Sequence, residues 1–419
     1  MFSTLSTTLL VTLFLVIIGI ISSLRAYSKQ AACKVNTSAF TILHSEDTQQ
    51  CQDILDGFDP TNGETCHKNR LLEARAVPSQ RLVETFHIES AFTTIDPDIA
   101  KAFQKEIKSV LSYKTNWSAY PMSTDIRRML NDTATPSVSL VSIVQRLTLR
   151  TAIHFVFPGI QFHASHYHKI ATDLSTVARL IDVLWQDSKI AKSSTSVIQL
   201  QLALFAALYR VFDGTPCAFS LDEKGFPQDR TKNPLRLILP SYETMWRVVL
   251  RCFLEVRYKS PTPTMRKSYE AAFLCLTPES SRAHPDKKTV ATPENFTKEN
   301  GLARCIVKES LRLYPPTKRI YRAVVCDAGL SIFATLFRSP RANRIHAVDI
   351  EALHRRSDVW GADATSFRPE RWSSVEKDPA EFMPFGHGRF ACPTRTGLGP
   401  FLIAVSLSSY AKIKVVSAC

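Results

Sequence analysis

One cysteine lies in a glycine-rich context that favours metal chemistry. The segment reads Phe385-Gly386-His387-Gly388-Arg389-Phe390-Ala391-Cys392-Pro393. Two glycines allow a tight turn that bulky residues would block, and a thiolate on such a turn can act as a soft ligand to iron. Arg389 is close enough in sequence to favour the ionised form of the thiol. The simpler interpretation is that Cys392, one of ten cysteines, is a small buried hydrophobic residue.

Two upstream segments carry charges at turn or helix spacing. Glu309 and Arg312 lie three residues apart and share one helical face, where such a pair is usually a surface ion pair of little energetic weight. The segment 369–372, Pro-Glu-Arg-Trp, lies between this pair and the cysteine. Alone it would be an ordinary turn.

Taken together and in this order, the three segments resemble the cytochrome P450 family. Its Glu-x-x-Arg, Pro-Glu-Arg-Phe-like and cysteine-loop patterns are matched at Glu309, Arg312, Pro369, Glu370, Arg371, Trp372, Phe385, Gly386, Gly388 and Cys392. The cysteine segment looks most like that of membrane-bound fungal members. The resemblance implies a mainly α fold with a minor β-sheet and a haem b cofactor.

The resemblance also implies roles for individual residues. Cys392 would be the axial thiolate on the haem iron, a ligand that favours O–O cleavage. Phe385, Gly386 and Gly388 would shape the loop that holds the cofactor. A buried charged cluster that supports this loop without taking part in the chemistry would be formed by Glu309, Arg312 and Arg371.

A haem propionate needs a cationic partner, and the family often uses an arginine after the Glu-x-x-Arg helix. Arg322 occupies that place, and bidentate arginine–carboxylate geometry suits the task. Arg319 and Arg389 are weaker candidates for the same role.

The family's oxygen-activating helix contains a small residue, an acid and a threonine, and residues 240–244 resemble it. In that interpretation Thr244 would be the oxygen-site alcohol and Glu243 its partner in a proton relay. The alternative is a solvated ion-pair stripe, because charged residues recur every four positions. The stripe comprises Glu243, Arg247, Arg251 and Glu255.

Several positions depart from the family pattern. Phe390 stands where an arginine or histidine usually binds a propionate, and Thr394 stands where a glycine lets the next helix approach the porphyrin. Ser241 replaces a small glycine at the oxygen site. No early Trp-x-x-x-Arg is found, and the chain stops soon after its last helix. Two alternatives follow: a non-catalytic or truncated relic, or a haem-dependent isomerase.

Hydrophobic periodicity outlines the elements that would position these residues. It predicts helices over about 138–157, 170–184, 240–256, 301–314 and 400–416. Short β-like runs fall within 319–350, and polar loops within 213–233 and 277–300. Residues 30–80 show weak periodicity and are expected to be loosely structured.

The first 24 residues contain no charged side chain, and Arg25 and Lys29 follow at once. About 20 apolar residues span a bilayer as a helix, and a cleaved signal peptide is the rival. Basic residues after the apolar core favour a retained anchor with the remainder in the cytosol. We therefore expect an anchor at 1–24, a linker segment at 25–80 and a C-terminally shortened haem domain at 81–419.

Composition narrows the function classes. Of the 419 residues, 45% are hydrophobic and 21% are charged, which excludes a disordered or fibrous protein. The net charge is +14. The basic residues are dispersed, which argues against nucleic-acid binding. Three close histidines could suggest a metal site or a polar helix start, and they lack metalloprotease spacing. They are His163, His166 and His168.

The resemblance then implies a complete function. The protein would be an endoplasmic-reticulum monooxygenase that inserts one oxygen atom from O2 into a lipophilic small molecule. NADPH-cytochrome P450 reductase would supply the electrons, docking on a basic face. Fungal members commonly act in secondary metabolism, and we expect the same pathway class here.

Overall fold

The computed structural model describes residues 41–59, 64–65, 70–112, 139–157, 160, 167–190, 195–274, 296, 301–324 and 344–410. The expected anchor at 1–24 and the last nine residues lie outside these ranges, as does most of the loop expected at 277–300. Among the helices within the described ranges, none combines the length and apolar composition needed to cross a bilayer.

The described part of the chain is mainly helical. In chain order the helices are α1 Thr48–Asp56, α2 Leu71–Phe86, α3 Pro97–Ser112, α4 Leu140–Val156, α5 Tyr167–Asp187, α6 Thr195–Phe212, α7 Leu235–Tyr242, α8 Met245–Tyr258, α9 Pro263–Leu274, α10 Leu302–Leu313, α11 Ile350–Leu353, α12 Ser357–Trp360 and α13 Leu398–Tyr410. Two short 3₁₀ turns cover Pro369–Trp372 and Gly388–Phe390. The expected helix at 301–314 is thereby confirmed, and it stops before Pro315-Pro316 because proline cannot continue it.

A small sheet joins the two ends of the described chain. Its strands are β1 Thr41–Ser45, β4 Arg319–Ala323 and β5 Arg344–Asp349. The central β5 pairs in parallel with β1 and antiparallel with β4. A separate two-stranded ribbon pairs β2 Phe58–Asp59 with β3 Glu64–Thr65. The β-like runs expected in 319–350 therefore form part of the larger sheet.

The buried apolar residues form one large and two small clusters. The large one lies among α4, α5, α6, α8 and α13, where apolar residues three and four apart face one another. A second cluster joins α1 to β5, α11 and Met383. The third surrounds the rings of Trp360 and Trp372. The two small clusters support the segment that leads into the cysteine loop.

The helix expected from Pro240 begins later than predicted. Pro240 lies inside α7, and α8 starts at Met245 after a break at Glu243 and Thr244. The preceding apolar run is buried and helical because it contributes to the large cluster, so the proline does not mark the first turn. That run includes Leu235, Leu237, Ile238 and Leu239.

The segment expected to be loosely structured also contains regular elements. Asp47 caps α1 by accepting a hydrogen bond from the backbone N–H of Gln50 at 2.8 Å, which stabilises a helix start. Cys51, Ile54 and Leu55 are fully buried on one face of that helix. The expectation failed because a nine-residue helix gives a short periodic signal.

Candidate functional site

The cysteine loop is a tight turn held by its own backbone. Gly386 and Gly388 have φ values of +72° and +62°, a conformation that glycine adopts at little cost. The backbone N–H of Cys392 donates to the carbonyl of Phe385 at 2.8 Å and closes the loop. The structure thus places Phe385, both glycines and the half-buried Cys392 in one turn, immediately before α13.

The side of the loop that carries Gly388 packs against α1. A methyl group at Gly388 would overlap the carboxylate of Asp56 at the end of that helix. The imidazole Nε2 of His387 lies 3.8 Å from the Asp56 Oδ2. Glycine is therefore required at 388 both for its backbone conformation and for this close approach.

Other cysteines in the described chain are poor candidates for a thiolate ligand. Burial raises the pKa of Cys51 and of Cys252 to about 12. Burial also raises the pKa of Cys217 and of Cys305. A cysteine must be deprotonated to bind iron. Because their surroundings oppose deprotonation, these four cysteines are poor ligand candidates. Cys392 is the remaining free cysteine of the described residues.

The structure brings Glu309, Arg312 and Arg371 into one buried cluster. The side chains of Glu309 and Arg312 have no exposed surface and are joined by two hydrogen bonds of 2.7 and 2.9 Å. Arg371 reaches the same carboxylate at 3.1 Å. The indole N–H of Trp372 and the backbone N–H of Arg368 each donate to it at 2.9 Å. A buried ion pair is stable when its remaining donors and acceptors are satisfied in this way.

Arg312 also orders the chain that precedes the cysteine loop. Its guanidinium donates to three backbone carbonyls between α11 and the 3₁₀ turn, at 2.7, 2.5 and 3.2 Å. The acceptors belong to His354, Ala364 and Ser366. These bonds fix the course of residues 354–366 against α10.

His354 connects this cluster to the cysteine loop. The backbone N–H of Met383 donates to its Nε2 at 3.0 Å, so that nitrogen carries no proton. Nδ1 then carries the proton and donates to the carbonyl of Arg312 at 2.9 Å. Burial lowers the pKa of His354 to about 4, which agrees with a neutral ring. Met383 in turn accepts from Gly386 at 3.0 Å, so a continuous chain of hydrogen bonds reaches the loop.

Two arginine side chains converge on Phe390 beside the cysteine. The guanidinium carbons of Arg75, from α2, and Arg322, from β4, lie 4.9 and 5.6 Å from the centre of its ring. Burial lowers the pKa of Arg322 to about 9, and the charge of Arg75 lowers it further. Burial lowers the pKa of Arg75 to about 10, while the neighbouring Cys392 acts to raise it.

Neither cation is neutralised by a carboxylate of the described residues. Within the described part of the chain, Arg75 donates to the carbonyl of Ala91 at 3.3 Å and Arg322 to that of Tyr321 at 3.0 Å, and no carboxylate contacts either. Two partly desolvated, mutually repelling cations are unfavourable unless an anion compensates them. The two uncompensated cations therefore favour the binding of a ligand with two negative groups next to Cys392.

The other arginines considered for a propionate are placed differently. Arg319 forms an ion pair with Asp349, with 2.7 Å between its Nε and the carboxylate Oδ2. Arg389 is exposed, and no hydrogen bond or ion pair joins it to the described residues. Of the arginines proposed from the sequence, Arg322 is the one whose guanidinium lies over the ring of Phe390.

Sequence reasoning missed Arg75. Its position is set by the packing of α2 on β4, between elements more than 200 residues apart in the chain. A local signal does exist, because Arg75 lies between the buried residues Ala74 and Ala76.

These features fit a haem. The thiol of Cys392 can supply the iron ligand, and the two cations can neutralise the two propionates. Glu309, Arg312 and Arg371 do not reach this point and act as support for the loop.

The expected oxygen-site residues, Thr244 and Glu243, are engaged by residues of α7 and α8. The hydroxyl of Thr244 donates to the carbonyl of Pro240 at 2.8 Å. Glu243 is buried, accepts from the indole of Trp246 at 3.0 Å and pairs with Arg247, which also binds Asp182. Burial raises the pKa of Glu243. Among the described residues, none of these contacts leads to the cysteine loop.

Three histidines were considered for a metal site. His163, His166 and the side chain of His168 lie outside the part of the chain that the structure describes. Across the ranges that are described, no three His, Cys, Asp or Glu side chains gather into a metal site.

Comparison with known proteins points to one family. The cytochrome P450 family model matches residues 295–395, a stretch that contains the charged cluster and the cysteine loop. The chain is 38% identical over 95 residues to the cytochrome P450 monooxygenase himC of Aspergillus japonicus, covering 21% of this chain and 17% of that protein. It is 25% identical over 271 residues to a cytokinin hydroxylase of Arabidopsis thaliana, covering 62% of this chain and 46% of that protein. The matches thus span less than half of these relatives.

The fold is shared more widely than the sequence. A cytochrome P450 structure from Thermus thermophilus superposes with a TM-score of 0.53 at 15% identity, covering 89% of this chain and 82% of that chain. The architecture, the matched segment and the relatives agree with one another. Residues 295–395 are thus similar to the cytochrome P450 family, and the described chain shares the fold of a cytochrome P450.

Proposed function

We propose that this chain is a haem-thiolate monooxygenase that acts on a lipophilic small molecule. The observation that carries the proposal is the juxtaposition of Cys392 with two cations, Arg75 and Arg322, that have no acidic partner in the described chain. When bound, haem supplies oxygen activation and the insertion of one oxygen atom, while the protein supplies binding and orientation.

Different residues would hold different parts of the cofactor. Cys392 would offer its thiolate as the axial ligand, and Gly386 and Gly388 would let the turn approach the porphyrin. Arg75 and Arg322 would each bind one propionate. The hydrogen bonds of His354 would fix the position of the turn relative to α10. A fixed turn would in turn hold the sulfur of Cys392 in one orientation.

Electron supply and location complete the proposal. Exposed Arg389 and Arg395 flank Cys392, which suits an acidic surface on an NADPH-dependent flavoprotein reductase.

The apolar residues 1–24 would anchor the protein in the endoplasmic reticulum membrane, with the linker 25–80 and the domain 81–419 in the cytosol. The resemblance to fungal members motivates a role in secondary metabolism. An anchored enzyme also meets substrates that partition into the bilayer.

A spectroscopic experiment tests haem ligation directly. The purified protein is loaded with haem, reduced with dithionite and exposed to carbon monoxide. We expect the Soret band of a thiolate-ligated haem, its loss in Cys392→Ser, and its retention in the matched control Cys217→Ser. A band that survives Cys392→Ser would assign the ligand to another residue. A folded protein that takes up no haem would instead support the non-catalytic relic.

One observation favours a second candidate, a haem-dependent isomerase. The Thr244 hydroxyl donates to the carbonyl of Pro240 in α7, and Glu243 is engaged by Trp246 and Arg247. A rearrangement needs no proton relay from these groups to an oxygen site. Oxygen uptake that depends on NADPH and a reductase would support the monooxygenase. Haem binding with substrate turnover but without such uptake would support the isomerase.

A further inference from the structure

The cysteine sulfur has a side-chain hydrogen-bond partner two residues further along. The Oγ1 of Thr394 lies 3.0 Å from the Sγ of Cys392. The family pattern has a glycine at this position, which lets the next helix approach the porphyrin. The structure shows instead that the hydroxyl of Thr394 is directed at the sulfur.

The direction of this hydrogen bond follows from the proposed ligation. A thiolate has no proton to give, so the hydroxyl must be the donor when the sulfur is bound to iron. Among the described residues the hydroxyl has no other hydrogen-bond partner. A hydrogen bond to an ionised acceptor is stronger than one between neutral groups.

The start of α13 leaves space for this side chain. Gly399 donates its backbone N–H to the carbonyl of Thr394 at 2.9 Å. A Cβ at Gly399 would lie 3.1 Å from the Thr394 Oγ1 and 3.0 Å from the ring of Phe385. The helix therefore approaches through a glycine at 399, which compensates for the larger residue at 394.

We infer that Thr394 is a positioning residue that tunes the haem iron through the sulfur. A hydrogen bond withdraws electron density from the thiolate, and hydrogen bonds to the sulfur are one of the means by which proteins set the potential of such centres. It should favour the ferrous state and weaken the iron–sulfur bond. This inference rests on the proposed haem-thiolate function.

Three variants test it on the haem-loaded protein. Thr394→Val keeps the shape and removes the hydroxyl, Thr394→Ser keeps the hydroxyl, and Thr396→Val changes an exposed threonine in the same segment. The readouts are the ferric/ferrous midpoint potential, from a dye-mediated reductive titration, and the iron–sulfur stretching frequency, from resonance Raman spectroscopy. A purely structural role for the threonine would leave both unchanged.

Of these three variants, we expect only Thr394→Val to change the two readouts. Thr394→Val should lower the ratio of ferrous to ferric haem about tenfold at a given potential, which corresponds to a one-electron midpoint potential that is lower by about 59 mV. It should also raise the iron–sulfur stretching frequency. Thr394→Ser and Thr396→Val should match the unchanged protein. A valine variant that matches it in both readouts would overturn the inference.

Failure of the inference and failure of the proposed function can be told apart. If the unchanged protein lacks the thiolate Soret band, the proposed function fails and this inference with it. If the band is present and the potential is the same in all variants, only the inference fails. Should Thr394→Val not retain haem, Thr394→Ala removes the same hydroxyl with less bulk, and its potential decides.

Discussion

The molecule contains two groups of buried charge, and they differ in how the charge is compensated. The Glu309 cluster is saturated by hydrogen bonds from Arg312, Arg371 and their neighbours. The cations Arg75 and Arg322 lie near each other without an acid in the described chain. The first arrangement stabilises the fold by itself, whereas the second costs stability until an anion arrives. The contrast separates support from binding.

The largest effect should follow from breaking the saturated cluster. Glu309→Gln removes the charge that compensates two buried arginines, so we expect the free energy of unfolding to fall by about 3–5 kcal/mol. Urea unfolding of the haem-free protein measures it. Asp358→Asn, which breaks the ion pair with Arg356 on the surface, is the control and should show no change. Equal stability of the Gln variant and the unchanged protein would mean that the cluster is not needed.

The cation pair should respond with the opposite sign. Arg322→Met removes one of two repelling charges, so the haem-free protein should be as stable as before or more stable. Haem affinity should fall at least tenfold, because a hydrogen bond to a charged group contributes about 1.5–3 kcal/mol. Thermal unfolding and a Soret-band titration provide the two measurements.

A matched control for this experiment lies on the same strand. Arg319→Met removes an arginine that is already paired with Asp349, and haem affinity should stay as it was. A loss of affinity in both variants would point to general damage to β4. Unchanged affinity in Arg322→Met would remove this residue from the haem site.

The third effect is spread over several pH units and concerns His354, the uncharged residue that links the cluster to the loop. The folded pKa of His354 is about 4 because the ring is buried, below the usual value near 6.5. The unfolded chain therefore binds this proton first, and stability is lost as the pH falls from about 6.5 towards 4. The slope contributed by this group is at most about 1.4 kcal/mol per pH unit.

Unfolding measured across that pH range should show a shallower slope in His354→Gln. Part of the slope should remain, since burial also lowers the pKa of His87 to about 4. The exposed His44 on β1 serves as the control, and His44→Gln should keep the full slope. An identical slope in His354→Gln would show that its ring is not the group that titrates.

The sequence predicted what depends on short patterns. The helix that carries Glu309 and Arg312 ends at the expected prolines, and Arg371 comes from a recognisable turn. Arg75 was not predicted, because its role depends on a contact between α2 and a loop about 300 residues later. The break at Glu243 and Thr244 was also missed, since the apolar residues of α7 and α8 follow one another without a clear boundary. Local composition does not reveal contacts between distant residues or helix boundaries that are set by packing.

The contact between Gly388 and Asp56 ties the start of the described chain to its most reactive turn. The strand β1 and the helix α1 resemble a peripheral leader in sequence, yet one forms an edge of the sheet and the other lies against the cysteine loop. A protease that cut after Asp56 and released the preceding residues would strip away both at once. Limited proteolysis near this point should therefore be slowed by haem, although the scissile bond is far from the cofactor in the amino-acid sequence.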